Sequence, residues 1–391
     1  MEVKPGYKQT EVGVIPEEWE TAAIADLVEP SAPICYGVVQ VGQHTESGVP
    51  IVAIKFVKEI AHAPLHRTAV NLEQPYARSR PKGGDVLISI KGTIGRVGIV
   101  PNEFEGNISR ELARLRIREG LCPEYIAHQL ESGATQERIM RSVVGTTRLE
   151  FSIATLRKFP LPVPPTLPEQ RAIATALSDV DVLLGGQDRL IAKKRDLKQA
   201  AMQQLLTGQT RLPGFHAEWE VQRLGDVVQI NNGQLITSST LKPGDIPVIA
   251  GGKQPAYYHA CANRFGRTVT ISASGASAGY VALYDEPIFA SDCSTISESE
   301  SYCLDFVFYQ LLCKQQTIYK AQTGGAQPHI HAKDLNPIPF AFPPLPEQTA
   351  IASVLTEMDA ELAVLEQRRE KTRALKQAMM QELLTGRIRL L

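Results

Sequence analysis

Paired cysteines are missing from this sequence. Cys35, Cys122, Cys261, Cys293, Cys303 and Cys313 lie far apart and form no C-x-x-C pair. Zinc ribbons and redox motifs need closer spacing, so these residues are expected as scattered free thiols in a reducing compartment. Long apolar runs are missing too. No stretch approaches the ~18 residues that span a bilayer, and the opening Met1-Glu2-Val3-Lys4-Pro5-Gly6 lacks the apolar core of a signal peptide. A cytoplasmic protein is expected. There is no excess of charge of either sign: 41 basic residues stand against 42 acidic ones, a net charge of −1. That balance excludes a histone-like coat for nucleic acid and leaves local patches open.

The equipment of an enzyme is also absent. No G-x-x-x-x-G-K-[ST] loop is present to cradle nucleotide phosphates, and no G-x-G-x-x-G opens a helix after a strand. A DNA amino-methyltransferase is expected to carry an Asn/Asp/Ser-Pro-Pro-aromatic motif, yet Pro164-Pro165 and Pro343-Pro344 follow Val and Phe. Asp196-Leu197-Lys198 has the spelling of a nuclease fragment but falls in a helical segment, where a solvated charged face is the plainer reading. His329 and His331 are two apart with no further ligand at metal spacing, and His62 and His66 straddle Pro64. Neither pair is expected to hold a metal.

What the sequence does contain is itself, twice. Leu167-Pro168-Glu169-Gln170 returns as Leu345-Pro346-Glu347-Gln348, displaced by 178 residues from Glu169 to Glu347. The same displacement, without a gap, carries Ile173 to Ile351, Leu177 to Leu355 and Asp181 to Asp359. It also carries Leu197-Lys198-Gln199-Ala200 to Leu375-Lys376-Gln377-Ala378, and Leu205-Leu206-Thr207-Gly208 to Leu383-Leu384-Thr385-Gly386. The intervening sequence echoes more faintly. Glu18-Trp19-Glu20 is answered by Glu218-Trp219-Glu220, and Ile88-Ser89-Ile90-Lys91-Gly92 by Ile271-Ser272-Ala273-Ser274-Gly275. Both fillings leave through a proline-rich exit, Pro160 to Pro165 and Pro337 to Pro344.

The shared segments read as long helices. Pro168 and Pro346 suit a first turn, the glutamate after each suits the positive end of the helix dipole, and Gly208 and Gly386 suit left-handed caps. Apolar residues at Ile173, Leu177, Val180 and Leu184, and at Leu355, Met358, Leu362 and Leu365, alternate in steps of four and three, the seam of a coiled coil. Gly185-Gly186 weakens the first seam and invites a kink or register shift. At 1.5 Å per residue, ~40 residues span about 60 Å. Two such helices with matching seams are expected to pack antiparallel. The division is then residues 1–165 as a first globular domain, 166–208 as a long helix, 209–344 as a second domain and 345–391 as a second helix.

Each globular part is expected to be α/β or α+β. Val86-Leu87-Ile88-Ser89-Ile90 and Arg267-Thr268-Val269-Thr270-Ile271 read as strands, and the stretches from Glu124 to Leu130 and Asp305 to Leu311 as matching short helices. Between His66 and Gly120 ten basic residues face six acidic ones, a mild excess that either nucleic-acid contact or a mixed solvated surface explains. The second part has no such excess. Gln254, Ser274, Ser277, Gln327 and His329 still offer the hydrogen-bonding groups that base edges require.

The doubled Leu-Pro-Glu-Gln-x-x-Ala-Ile-Ala start, Leu-Lys-Gln-Ala-x-Met-Gln middle and Leu-Leu-Thr-Gly end, with the Pro-Glu-Glu-Trp opening at Pro16 to Trp19, resemble the conserved regions of type I restriction-modification specificity subunits. The resemblance covers essentially the whole chain. It implies a non-catalytic subunit with two target-recognition domains held apart by an antiparallel helical pair, each domain reading half of a split double-stranded DNA site. It implies two methyltransferase subunits as partners, which carry the S-adenosylmethionine that this chain does not bind, and restriction subunits that join them. By carry-over, Gly145-Thr146-Thr147-Arg148 and Gly324-Gly325-Ala326-Gln327 lie near DNA, as do the 91–96 and 274–277 loops with Lys91, Thr93, Arg96, Ser274 and Ser277. Two rival readings are a coiled-coil scaffold carrying two adaptor domains, and a fused methyltransferase-specificity enzyme. The missing catalytic motif and the length oppose the fusion. Fixed helices around diversified fillings oppose the scaffold.

Overall fold

A computed structural model describes residues 4–143, 149–237, 239–324 and 327–390. The chain divides into two compact units, and neither is one contiguous stretch. The N-terminal unit holds residues 1–186 together with 369–391, and the C-terminal unit holds 187–368. The dividing lines therefore cut through the two long helices, Leu167–Leu205 and Leu345–Leu383. The first helix continues as one element through Gly185-Gly186.

In the N-terminal unit, Glu20–Ala23 pairs with Pro160–Val163, bringing the start and the exit of the first domain side by side. Between them lies an antiparallel sheet in the order Cys35–Tyr36, Leu112–Leu115, Val86–Ser89, Val97–Ile99. A three-stranded sheet has Val49–Val52 at its centre, antiparallel to His66–Thr68 and parallel to Asn107–Ile108. The run Val86-Leu87-Ile88-Ser89 is buried without alternation because both faces are covered. Val86, Ile88 and Ile90 belong to a core with Tyr125, Ile126 and Leu130 of the helix Pro123–Glu131. Leu87 points the other way, into a small core with Val52, Val57 and Ile108.

The C-terminal unit repeats this plan. Glu220–Arg223 pairs with Pro339–Phe342. The larger sheet runs Asn231–Asn232, Cys293–Ser297, Thr268–Ser272, Val281–Tyr284, and the smaller has Ile246–Ile249 between Tyr257–His259 and Phe289–Ala290. Val269 and Ile271 pack with Phe306 and Leu311 of the helix Leu304–Cys313.

Within each unit the start of one long helix and the end of the other run antiparallel. In the N-terminal unit the Arg389 guanidinium clasps the Glu169 carboxylate, with Nη2 donating to Oε2 at 2.9 Å, while Lys376 Nζ lies 2.6 Å from Asp181. In the C-terminal unit Arg211 clasps Glu347 through two bonds of 2.6 and 2.7 Å, and Lys198 Nζ lies 2.5 Å from Asp359. Every partner is displaced by the same 178 residues that separate Glu169 from Glu347. Gln129 Nε2 donates to the Leu384 carbonyl (2.6 Å) and Gln310 Nε2 to that of Leu206 (2.8 Å). Gln170 and Gln348 accept the backbone N–H groups of Cys122 and Cys303, both at 3.0 Å.

These contacts explain the repeated phrases more fully than helix propensity does. The glutamate after each proline is not merely a charge near a dipole. It is buried, 2% exposed at Glu169 and 0% at Glu347, and paired with an arginine three residues beyond the capping glycine of the other helix. Those glycines carry positive φ, +71° at Gly208 and +69° at Gly386, and they sit against Trp219 and Trp19 respectively. Of the expected seam, Ile173, Leu177, Leu355 and Leu362 are buried. Ile173 and Leu177 join the N-terminal core, so the start of that seam serves a globular domain.

Candidate nucleic-acid interface

In the C-terminal unit three loops meet where the strand Thr268–Ser272 ends. Gly275, with φ +76°, turns the chain after Ser274. Ser274 bridges to His329 in antiparallel fashion, Gly275 N donates to the Pro328 carbonyl (3.0 Å) and Ile330 N to that of Ala273 (2.9 Å). The third loop follows Ile246–Ile249. Ser272 Oγ reaches the carbonyls of Ala250 and Gly252 at 3.2 Å each. A side chain at Gly251 would come within 2.7 Å of the Ser274 carbonyl, so this close approach requires glycine.

Gln254, Ser274, Ser277, Gln327 and His329 thus share one end of the larger sheet, with Gln254 and Gln327 exposed and the other three half-buried. The Ser274 hydroxyl donates to the Asp292 carboxylate, a residue that sequence reasoning missed because nothing in Ser291-Asp292-Cys293 marks it. Lys253 Nζ lies 5.5 Å from the Tyr280 ring centre. The rings of His329 and His331 stack nearly parallel, 6.2 Å apart. The surface therefore offers amide, imidazole, hydroxyl and carboxylate groups, with one neighbouring lysine.

The N-terminal unit builds the corresponding turn differently. Ser89 pins it: its Oγ donates to the Thr93 carbonyl (2.5 Å) and accepts from Arg96 N (2.8 Å). Gly92 and Gly95 have φ of +70° and +84°. Gln136 Nε2 donates to the Gly95 carbonyl at 2.9 Å, where any side chain at Gly95 would collide with it. Thr93 and Arg96 are exposed. Lys91 bridges to Glu150, with Nζ 3.3 Å from its carboxylate. Ile54 comes near Gly92, which places Lys55, exposed and unremarked in the sequence, beside this turn. The signal was available: Lys55 and Lys253 both follow the central strand of the smaller sheet. Thr146, Thr147 and Arg148 lie outside the described residues, as do Gly325 and Ala326.

The basic excess between His66 and Gly120 does not belong to this surface as a whole. Arg80 pairs with Glu73, Arg116 with Asp85 and Arg110 with Glu111, while Arg114 is 2% exposed. Among the described residues, the group with metal-ligand geometry is His128, Glu131 and Asp181. The Lys376 ammonium already lies 2.6 Å from Asp181 and 4.0 Å from Glu131 and neutralises it.

Two unlike candidate surfaces stand on one repeated frame, and the frame is that of a DNA specificity protein. The type I restriction modification DNA specificity domain family matches residues 16–189 and 216–373, and the chain belongs to that family. It is 26% identical, over 98% of its length and 96% of the relative's, to a putative type I restriction enzyme MjaX specificity subunit of Methanocaldococcus jannaschii. It is 24% identical to the type I restriction enzyme EcoBI specificity subunit of Escherichia coli, a match spanning 54% of this chain and 44% of that one. The crystal structure of the type I restriction-modification S subunit from M. genitalium superposes with a TM-score of 0.67 at 16% identity, covering 98% of each chain. A further type I restriction-modification structure superposes with a TM-score of 0.57 at 19% identity, covering 96% of this chain and 99% of that one. At these identities the superpositions establish the fold. Among the described residues no helix is long and apolar enough to cross a membrane.

Proposed function

We propose that this chain is the sequence-reading subunit of a type I restriction-modification complex, each domain reading one half of a split DNA site. The observation that carries this is the convergence of Gln254, Ser274, Ser277, Gln327 and His329 at one sheet end, answered in the other domain by Lys91, Thr93 and Arg96. Gln can bind adenine bidentately and Arg or Lys the acceptor edge of guanine, so two such different sets suit two different half-sites. Both domains supply binding groups only, and methyl transfer belongs to partner subunits carrying S-adenosylmethionine. Support for partner docking comes from Leu190 and Leu197 on the first long helix, seven residues apart and 41% and 48% exposed. Two methyltransferase subunits, one per domain and helix repeat, would satisfy the internal symmetry. Restriction subunits complete the assembly.

The test is a domain exchange. Residues 20–163 are replaced by the first domain of another family member, whose ends the Glu20–Ala23 and Pro160–Val163 pairing would hold. Methylome sequencing of cells carrying the hybrid and its methyltransferase partner is expected to show one half-site changed and the other kept. A change in both halves would rule out one domain per half-site.

A further inference from the structure

We propose that the N-terminal domain carries a second binding site, a cavity for a small phosphate-bearing anion such as a nucleoside monophosphate. The cavity, of about 670 Å³, opens beside the strand Cys35–Tyr36, within the size range of small-molecule pockets. Five of its lining residues are Arg78, Arg80, Lys82, Arg114 and Arg116, and no carboxylate lines it. Arg80 and Arg116 are held by Glu73 and Asp85. Among the described residues no carboxylate pairs with Arg78, Lys82 or Arg114, so the cavity keeps a positive charge.

Arg114 is the decisive residue. It is 2% exposed, yet its acceptors are neutral: Nη2 donates to the Pro33 carbonyl (2.9 Å) and to Cys35 Sγ (3.8 Å), and its buried Nε has no acceptor. Removing a cation from water without an anionic partner is costly, and an anion in the cavity offsets that cost. The second domain builds this place differently. By ladder register, Leu112 opposite Ser89 corresponds to Cys293 opposite Ser272, so neutral Thr295 stands where Arg114 does. There the half-buried Arg264 reaches Thr295 from another strand, its Nε donating to Thr295 Oγ1 at 3.0 Å, so the fold does not require a fully buried cation at this ladder position. Tyr36, 41% exposed, and Pro33 supply an apolar wall against which a planar group can lie.

The cavity is distinct from the candidate DNA surface. Lys91 follows one end of the strand Val86–Ser89, whereas Arg116 bonds to Asp85 at the other end. The proposal does not depend on the DNA-reading assignment.

Isothermal titration of the full-length chain tests it, with adenosine monophosphate and inorganic phosphate as probes. Both are expected to bind competitively, the nucleotide more tightly. The double variant R78A/K82A, altered at two exposed positions, is expected to weaken nucleotide binding at least tenfold while leaving DNA affinity and its salt dependence unchanged. R114M is expected to abolish binding, with circular dichroism confirming the fold. Failure of both probes to bind at millimolar concentration overturns the proposal, as does binding that the double variant leaves intact. A double variant whose DNA salt slope falls by about two, with no nucleotide binding to lose, makes the cavity a DNA-backbone contact and equally ends it.

Discussion

Cys122 and Cys293 are buried thiols whose pKa is pushed up by loss of solvation, to about 11 and about 12. The thiolate is the reactive form, so burial protects them twice, by access and by protonation. At pH 8, iodoacetamide is expected to alkylate exposed Cys261 within minutes and to spare Cys122 and Cys293 until the protein unfolds, as peptide mass spectrometry would report. Rapid labelling of either buried thiol would contradict its placement. Glu73 illustrates the opposite shift. The hydrogen bonds from Arg80 hold its pKa below the ordinary carboxylate value, against the effect of burial and with help from Asn107. Its charged form is favoured in the folded state, so this contribution is present above the ordinary value and lost as pH falls through the lowered one. Urea titrations of the parent and Glu73→Gln are therefore expected to differ most at neutral pH and to converge as pH falls through the lowered value. A gap that stays constant with pH would contradict the assignment.

The helical elements are joined by buried charge as well as by apolar packing. Arg389→Ala would leave Glu169, 2% exposed, without its cation. The expected loss for the N-terminal unit is roughly 3 kcal/mol, at the lower end for broken buried pairs because Arg389 remains about a quarter exposed. Equilibrium denaturation of the Glu169→Gln, Arg389→Ala double variant should show part of it recovered, since the stranded carboxylate is then gone. The long helices were legible in the sequence from their prolines, capping glycines and periodicity, because these are local signals. The role of Glu169 and Glu347 was not. Their arginine partners lie 220 and 136 positions away, and only the fold brings them together. The short helices Pro123–Glu131 and Leu304–Cys313 fell where their apolar patterns put them, yet Gln129 and Gln310, which hold the helix ends, carry no local mark.

At the scale of the whole chain, the first unit is closed by the last residues. Leu383 and Leu384 belong to the N-terminal core, and Tyr7 OH donates to the Gly386 carbonyl at 3.2 Å. A chain ending at Arg368 is expected to lose the N-terminal unit while the C-terminal unit stays folded, because Leu383 and Leu384, with Met379, Met380 and Leu390 packed against them, belong to the core of the former. Hydrogen exchange should show protection lost in Pro123–Glu131 and kept in Leu304–Cys313. Equal loss in both would show one cooperative molecule rather than two units.

By itself the sequence determined the repeat, the two helices with their caps, one strand and one short helix of each domain and the family they resemble, since each is written in spacing or local propensity. It placed the domain limits at the helix ends, where composition changes. Only the tertiary structure decided that each compact unit takes the start of one long helix and the end of the other, that Arg80, Arg110 and Arg116 of the local basic excess are tied up in ion pairs, and that Asp292 and Lys55 stand beside the candidate loops. Those facts depend on which distant segments share a core. Ion pairs between distant residues leave no period in the chain to be read.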